Sequence, residues 1–129
     1  SRAHRGRRPG GGPPRWPSAA SIVTVGHSFG GAVALQAGIA MGDTCAGVVT
    51  LSTQSAGCED ASRLGDTPLL LLHGDADRIL PPMASEAVHH LAGGHGELEI
   101  LPGVDHLLAE AADHVETRVT DWIGDRLEA

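Results

Sequence analysis

The stretch Ile22-Val23-Thr24-Val25-Gly26-His27-Ser28-Phe29-Gly30-Gly31 decides how the rest of the chain is read. It opens with a β-branched run suited to a buried strand and leads into Ser28 to Met41, a helix-length segment of almost wholly apolar or small residues. Between the two lies G-x-S-x-G, with Gly26, Ser28 and Gly30 at its fixed positions. A serine on a sharp strand-to-helix turn takes a strained, positive φ. Side chains two residues to either side would collide, so Gly26 and Gly30 remove them. Gly31 then lets the helix approach the sheet closely. The strain holds the Ser28 hydroxyl out at the helix N-terminus, His27 flanks it, and the N–H of Phe29 points to where an oxyanion would develop. A glycine-rich turn with an incidental serine is the plain alternative, and the flanking strand and helix argue against it.

Working outward, Ala46 to Thr53, Pro68 to Leu72 and Glu97 to Leu101 are three further apolar runs, read as strands of buried, parallel character. The segment from Ser28 to Met41 has no polar face beyond Gln36, which predicts a helix covered on most sides. Met83, Ala87, Val88 and Leu91 recur at helical spacing after Pro81-Pro82. Leu108, Ala111, Ala112, Val115, Val119, Trp122 and Ile123 form one stripe of a long closing helix, with Glu110, Asp113, Glu116, Asp121 and Asp125 opposite. Strands alternating with helices predict an α/β fold, here a doubly wound parallel sheet of about four strands with flanking helices. In such a sheet, reactive groups belong in loops at strand C-termini.

Two loops supply them. His73-Gly74-Asp75-Ala76-Asp77 follows the third strand, and Asp77 can orient and stabilise an imidazolium, while Asp75 suits a turn or cap better. Val104-Asp105-His106 follows the fourth strand and offers His106 as general base. His27 and His73 flank the site and are read as packing or loop-positioning residues. His89 and His90 fall on an exposed helix, His95 in a turn and His114 on the polar face of the last helix. A metal site of His89, His90 and His95 lacks a partner carboxylate pattern, so no metal is assigned.

Composition bounds the rest. A chain of 129 residues, 41% hydrophobic, suits one domain. Net charge is −7, yet Arg2, Arg5, Arg7, Arg8 and Arg15 cluster at the start. The remainder is acidic, which argues against nucleic acid as a partner of the folded domain. Residues 1–20, rich in Arg, Gly and Pro, read as a disordered tail, and the domain is expected over residues 21–129. A basic arm contacting nucleic acid is its weaker functional reading. Cys45 and Cys58 have no zinc-type spacing and read as packed thiols, with a disulfide as the alternative in an oxidising compartment. No run reaches the about 18 apolar residues of a membrane span and no apolar signal core follows the arginines, so the expected location is cytoplasmic.

Ser28, Asp77 and His106 occur in the order nucleophile, acid, base, each after a strand, and in this the chain resembles the α/β-hydrolase family. The resemblance covers Ser21 to Glu128 as that fold's fifth to eighth strands, its C-terminal half. It implies that Ser28 forms an acyl-enzyme, His106 shuttles the proton, Asp77 holds the imidazole and Phe29 donates to the oxyanion. The connection from Thr53 to Pro68 is too short for an inserted cap, as in the capless dienelactone-hydrolase-like and carboxylesterase-like branches. Ser28 stands where true dienelactone hydrolases carry cysteine, which points to ester or thioester hydrolysis of a small acyl substrate without a cofactor. Thioesterases, acyltransferases and haloperoxidases are also similar. Full members have four further strands before the elbow strand, with the loop that supplies a second oxyanion donor, and none is legible in residues 1–20. Ile22 to Val25 is therefore expected at a sheet edge, open to self-association. The alternative function is a catalytically silent or impaired piece that associates through that edge.

Overall fold

Four apolar runs become four parallel strands, ordered in the sheet as they are in sequence: β1 (Ile22–His27), β2 (Cys45–Leu51), β3 (Leu69–Gly74) and β4 (Glu97–Leu101). The computed structural model describes residues 22–128, so the readings of residues 1–20 as a disordered tail or basic arm lie outside the described residues. Helix α1 (Phe29–Met41) joins β1 to β2, α2 (Met83–Leu91) joins β3 to β4, and α3 (Ala112–Glu128) closes the chain. The β2–β3 connection holds only one short 3₁₀ turn, Ala61–Leu64, and no cap.

Alternate residues of the central strands feed opposite faces, which is why β2 and β3 read as unbroken apolar runs. Val48, Leu69 and Leu71 pack with Leu35 of α1, Leu64 and Val88 of α2. Val49, Leu70 and Leu72 face the other way, onto Val115 and Trp122 of α3. The Trp122 ring lies so close to β2 that a Cβ on Gly47 would come within 2.7 Å of it. Cys45 and Cys58 are buried, and burial pushes the Cys58 thiol up to about 11, which favours its protonated form. Among the described residues no helix is long and apolar enough to cross a membrane.

Four expectations change. Helix α1 is not covered on most sides: it buries Gly31, Ala32, Ala34, Leu35 and Gly38 against β2, while Phe29 and Val33 stand 74% and 68% exposed. β4 is not a buried strand; it is the second edge, with Glu97 exposed and Leu98 to Ile100 half-buried. In α2 the covered residues are Ser85 and Val88, whereas Met83 and Leu91 are exposed, because the Ser85 hydroxyl has a buried histidine to bond. The closing helix begins at Ala112, since Leu108 adopts φ +63° to turn the chain away from the site. Leu108 nevertheless stays in the same core as Val115 and Trp122.

Candidate active site

Ser28 sits between β1 and α1 with φ +60° and ψ −120°, a backbone state costly for any residue with a side chain. Its N–H donates to the Leu51 carbonyl at the end of β2 (2.9 Å), which ties the turn to the neighbouring strand. The tightness explains Gly26: a Cβ there would run into the Gly30 carbonyl. Gly30 itself has open space around its missing Cβ among the described residues, so the collision argument holds for Gly26 and not for Gly30. At Gly31 a Cβ would strike the side chain of Thr53, which sets how near α1 comes to the sheet. Phe29 is the first residue of α1, so its N–H has no acceptor within the helix.

Asp77, in the loop after β3, is gripped at both oxygens. Its Oδ1 accepts the N–H groups of Ile79 and Leu80, each at 2.8 Å, and its Oδ2 accepts from His106 Nδ1 at 2.8 Å. The Asp77 side chain is fully covered. Burial pushes this carboxyl up, but the N–H donors of Leu80, His106 and Ile79 outweigh it and hold the group below the usual aspartate range.

His106, in the loop after β4, completes the line: its Nε2 lies 3.0 Å from Ser28 Oγ. With Nδ1 donating to a carboxylate, Nε2 is left as the acceptor for the serine hydroxyl. Three residues predicted from separate motifs, 78 positions apart at the extremes, thus meet in one hydrogen-bonded line. Other loop contacts hold it there. The His106 carbonyl accepts from Ser52 Oγ and His27 Nε2, both at 2.8 Å, and the His27 and His106 rings sit 4.9 Å apart. Arg78 clasps Asp105, with Nη2 at 2.7 Å and Nε at 2.9 Å from Oδ2. The N–H groups of Arg78 and His106, with that guanidinium, hold the Asp105 carboxyl down at about 2. Asp75 plays the structural part expected, accepting the Gly103 N–H.

Sequence reasoning passed over Ser52, whose φ of +53° turns β2 two residues short of the expected Thr53. It also passed over the Arg78–Asp105 clasp; the only cue was that each follows or precedes a singled-out residue, in Asp77-Arg78 and Asp105-His106. His89 and His95 bond backbone carbonyls of Gly96, Ala92 and Thr67, and His114 bonds Glu99. Beside His106 opens a cleft of ≈ 600 Å³ lined by Arg78, Ile79, Asp105, Leu107, Ala109 and Glu110.

The sequence model of the phospholipase/carboxylesterase family matches residues 17–113. The chain belongs to that family. Its fold is accordingly that of the α/β hydrolases, and solved structures agree. Est1E from Butyrivibrio proteoclasticus superposes with a TM-score of 0.69 at 20% identity, over 85% of this chain and 63% of its own. TT1662 from Thermus thermophilus gives 0.68 at 22%, over 84% and 56%. Dipeptidyl peptidase 4 from Porphyromonas gingivalis gives 0.73 at 17%, over 83% and 20%. The chain therefore spans less than two thirds of each of these proteins. No curated protein matches it in sequence.

Proposed function

We propose that this family member is a serine-dependent hydrolase of carboxylic ester or thioester bonds, acting through an acyl-enzyme. The observation that carries the reading is the unbroken line from Ser28 Oγ through the His106 ring to Asp77 Oδ2, at 3.0 and 2.8 Å. Ser28 Oγ attacks the acyl carbon while its proton passes to His106 Nε2, and Asp77 stabilises the imidazolium so formed. The Phe29 N–H, at the start of α1, donates to the resulting oxyanion. On collapse the bond to the leaving oxygen or sulfur breaks, and His106 returns the proton to it. Water then attacks the acyl-serine, giving its proton to His106, and the acid departs as Ser28 is reprotonated.

The cleft beside His106 suits an uncharged, apolar part of the substrate. Ile79 and Leu107 are 69% and 77% exposed there, while the Arg78 charge is already committed to Asp105. A fluorophosphonate probe tests the reading: it should label the wild type on Ser28 and leave Ser28→Ala unlabelled. Folded wild type that takes no label defeats it. Among the described residues β1 is an exposed edge, which supports a second reading in which the chain associates through it.

A further inference from the structure

His73, the fifth residue of β3, lies four positions before Asp77, and its side chain is wholly buried. A buried imidazole needs partners at both nitrogens. Its Nε2 lies 2.9 Å from the Leu80 carbonyl and 3.1 Å from Asp77 Oδ2. Both are acceptors, so Nε2 carries the hydrogen. Its Nδ1 lies 2.6 Å from the hydroxyl of Ser85, itself buried on α2, which donates to the bare nitrogen. We propose that His73 is a positioning residue for Asp77, its tautomer set by the Leu80 carbonyl and its other nitrogen capped by Ser85. The proposal rests on reading Ser28, His106 and Asp77 as the catalytic line.

The geometry forms a closed ring. Leu80 gives its N–H to Asp77 Oδ1 and its carbonyl to His73, and His73 Nε2 faces Asp77 Oδ2. Asp77 Oδ2 therefore lies between two ring nitrogens, His73 Nε2 and His106 Nδ1, while Oδ1 takes Ile79 and Leu80. The carboxylate cannot turn away from His106 without giving up one of these contacts. The loop that carries it is thereby strapped to a central strand on one side and to a helix on the other. Loops that bear reacting groups are otherwise the less ordered part of a fold, and groups behind the reacting ones supply the required precision. The opposite tautomer would set a bare nitrogen lone pair against both the Leu80 carbonyl and Asp77 Oδ2. The Ser85 hydroxyl, able to donate or to accept, fits the tautomer those two acceptors select by donating to the bare Nδ1. An apolar residue would fill the space without the desolvation cost of a buried imidazole, so volume alone does not account for a histidine here.

The test follows the low-field Nδ1–H proton of His106 by NMR in the full chain, together with the rate of fluorophosphonate labelling of Ser28. In His73→Phe the proton signal should broaden into solvent exchange and labelling should slow about 10- to 100-fold, as is typical when a group orienting a functional side chain is lost. His73→Gln keeps an N–H at the end of the side chain and should restore the signal and most of the rate. Ser85→Ala should fall between His73→Phe and wild type. Folded His73→Phe with signal and rate unchanged overturns the proposal, and so does His73→Gln performing no better than His73→Phe. If His73→Phe does not fold, Ser85→Ala decides, and an unaltered signal there overturns it. A wild type whose His106 signal depends on His73 but whose serine takes no label upholds the hold on Asp77 and defeats the hydrolase reading instead.

Discussion

At one edge of the sheet β4 presents Glu97 and Glu99, and α3 answers them from above. Arg118 bonds both carboxylates, Trp122 Nε1 donates to Glu97 at 2.7 Å, and His114 reaches Glu99. At the other edge β1 presents Ile22 and Val25, 42% and 49% exposed, next to the open Phe29 and Val33 of α1. The first edge carries charges engaged by side chains of α3, the usual device against strand addition; among the described residues the second presents no such charge. The candidate site is mounted across both edges. Asp77 and His106 ride on loops after β3 and β4, on the finished side, whereas Ser28 follows β1, the open strand. The nucleophile's position thus depends on the less protected half, through the bond from its N–H to Leu51 and the pairing of β1 with β2.

The largest effect is expected at Trp122, which is 3% exposed and lies over Gly47. Trp122→Ala should cost about 3–5 kcal/mol in denaturant unfolding, since it empties a core site and strips Glu97 of its N–H donor. A loss under about 1 kcal/mol would show that α3 covers the sheet without this anchor.

Acid should erode the finished side alone. Burial raises the Glu97 carboxyl, yet Trp122 and Arg118 overcome it and hold the group below the glutamate range, and Asp105 is held at about 2. A carboxylate with a depressed pKa stabilises the fold in full above its ordinary value and loses that contribution as pH falls through the depressed one. The Asp105 contribution should therefore disappear between about pH 4 and about pH 2, with Glu97 starting to fade in the same descent. Thermal unfolding followed from pH 6 to 2 checks this, and a flat melting temperature over that range contradicts it.

The smallest effect on stability should come from the open side. Val25→Lys should shift unfolding by no more than about 0.5 kcal/mol, as for an exposed site, yet it places a charge beside an apolar edge. If the chain self-associates through β1, sedimentation velocity should show that association weakened. Association undiminished in Val25→Lys assigns the contact to another surface.

Much of this architecture is legible along the chain because it depends on neighbours. Leu69 to Leu72 reads as a strand buried on both faces, and a serine between Gly26 and Gly30 after a β-branched run reads as a tight turn into a helix. Parallel pairing then follows from the long connections between strands, and the loops bearing Asp77 and His106 fall at one end of the sheet as parallel strands require. The errors share a cause. β4 and α1 were expected to be buried from apolar content, but coverage depends on what lies beside an element, which periodicity does not report. At Gly30 the turn chemistry suggested a collision that only the backbone path could test.

The elements, their succession along the chain and the three residues of the candidate line are legible in the sequence, because hydrophobic period, turn chemistry and motif spacing are local properties. Tertiary structure alone decided what holds that line in place: Ser52 and His27 on the His106 carbonyl, Arg78 on Asp105, and His73 with Ser85 behind Asp77. Those partners come from different strands, loops and helices. No spacing along the chain encodes their meeting, since it arises only once the crossovers have laid the strand ends side by side.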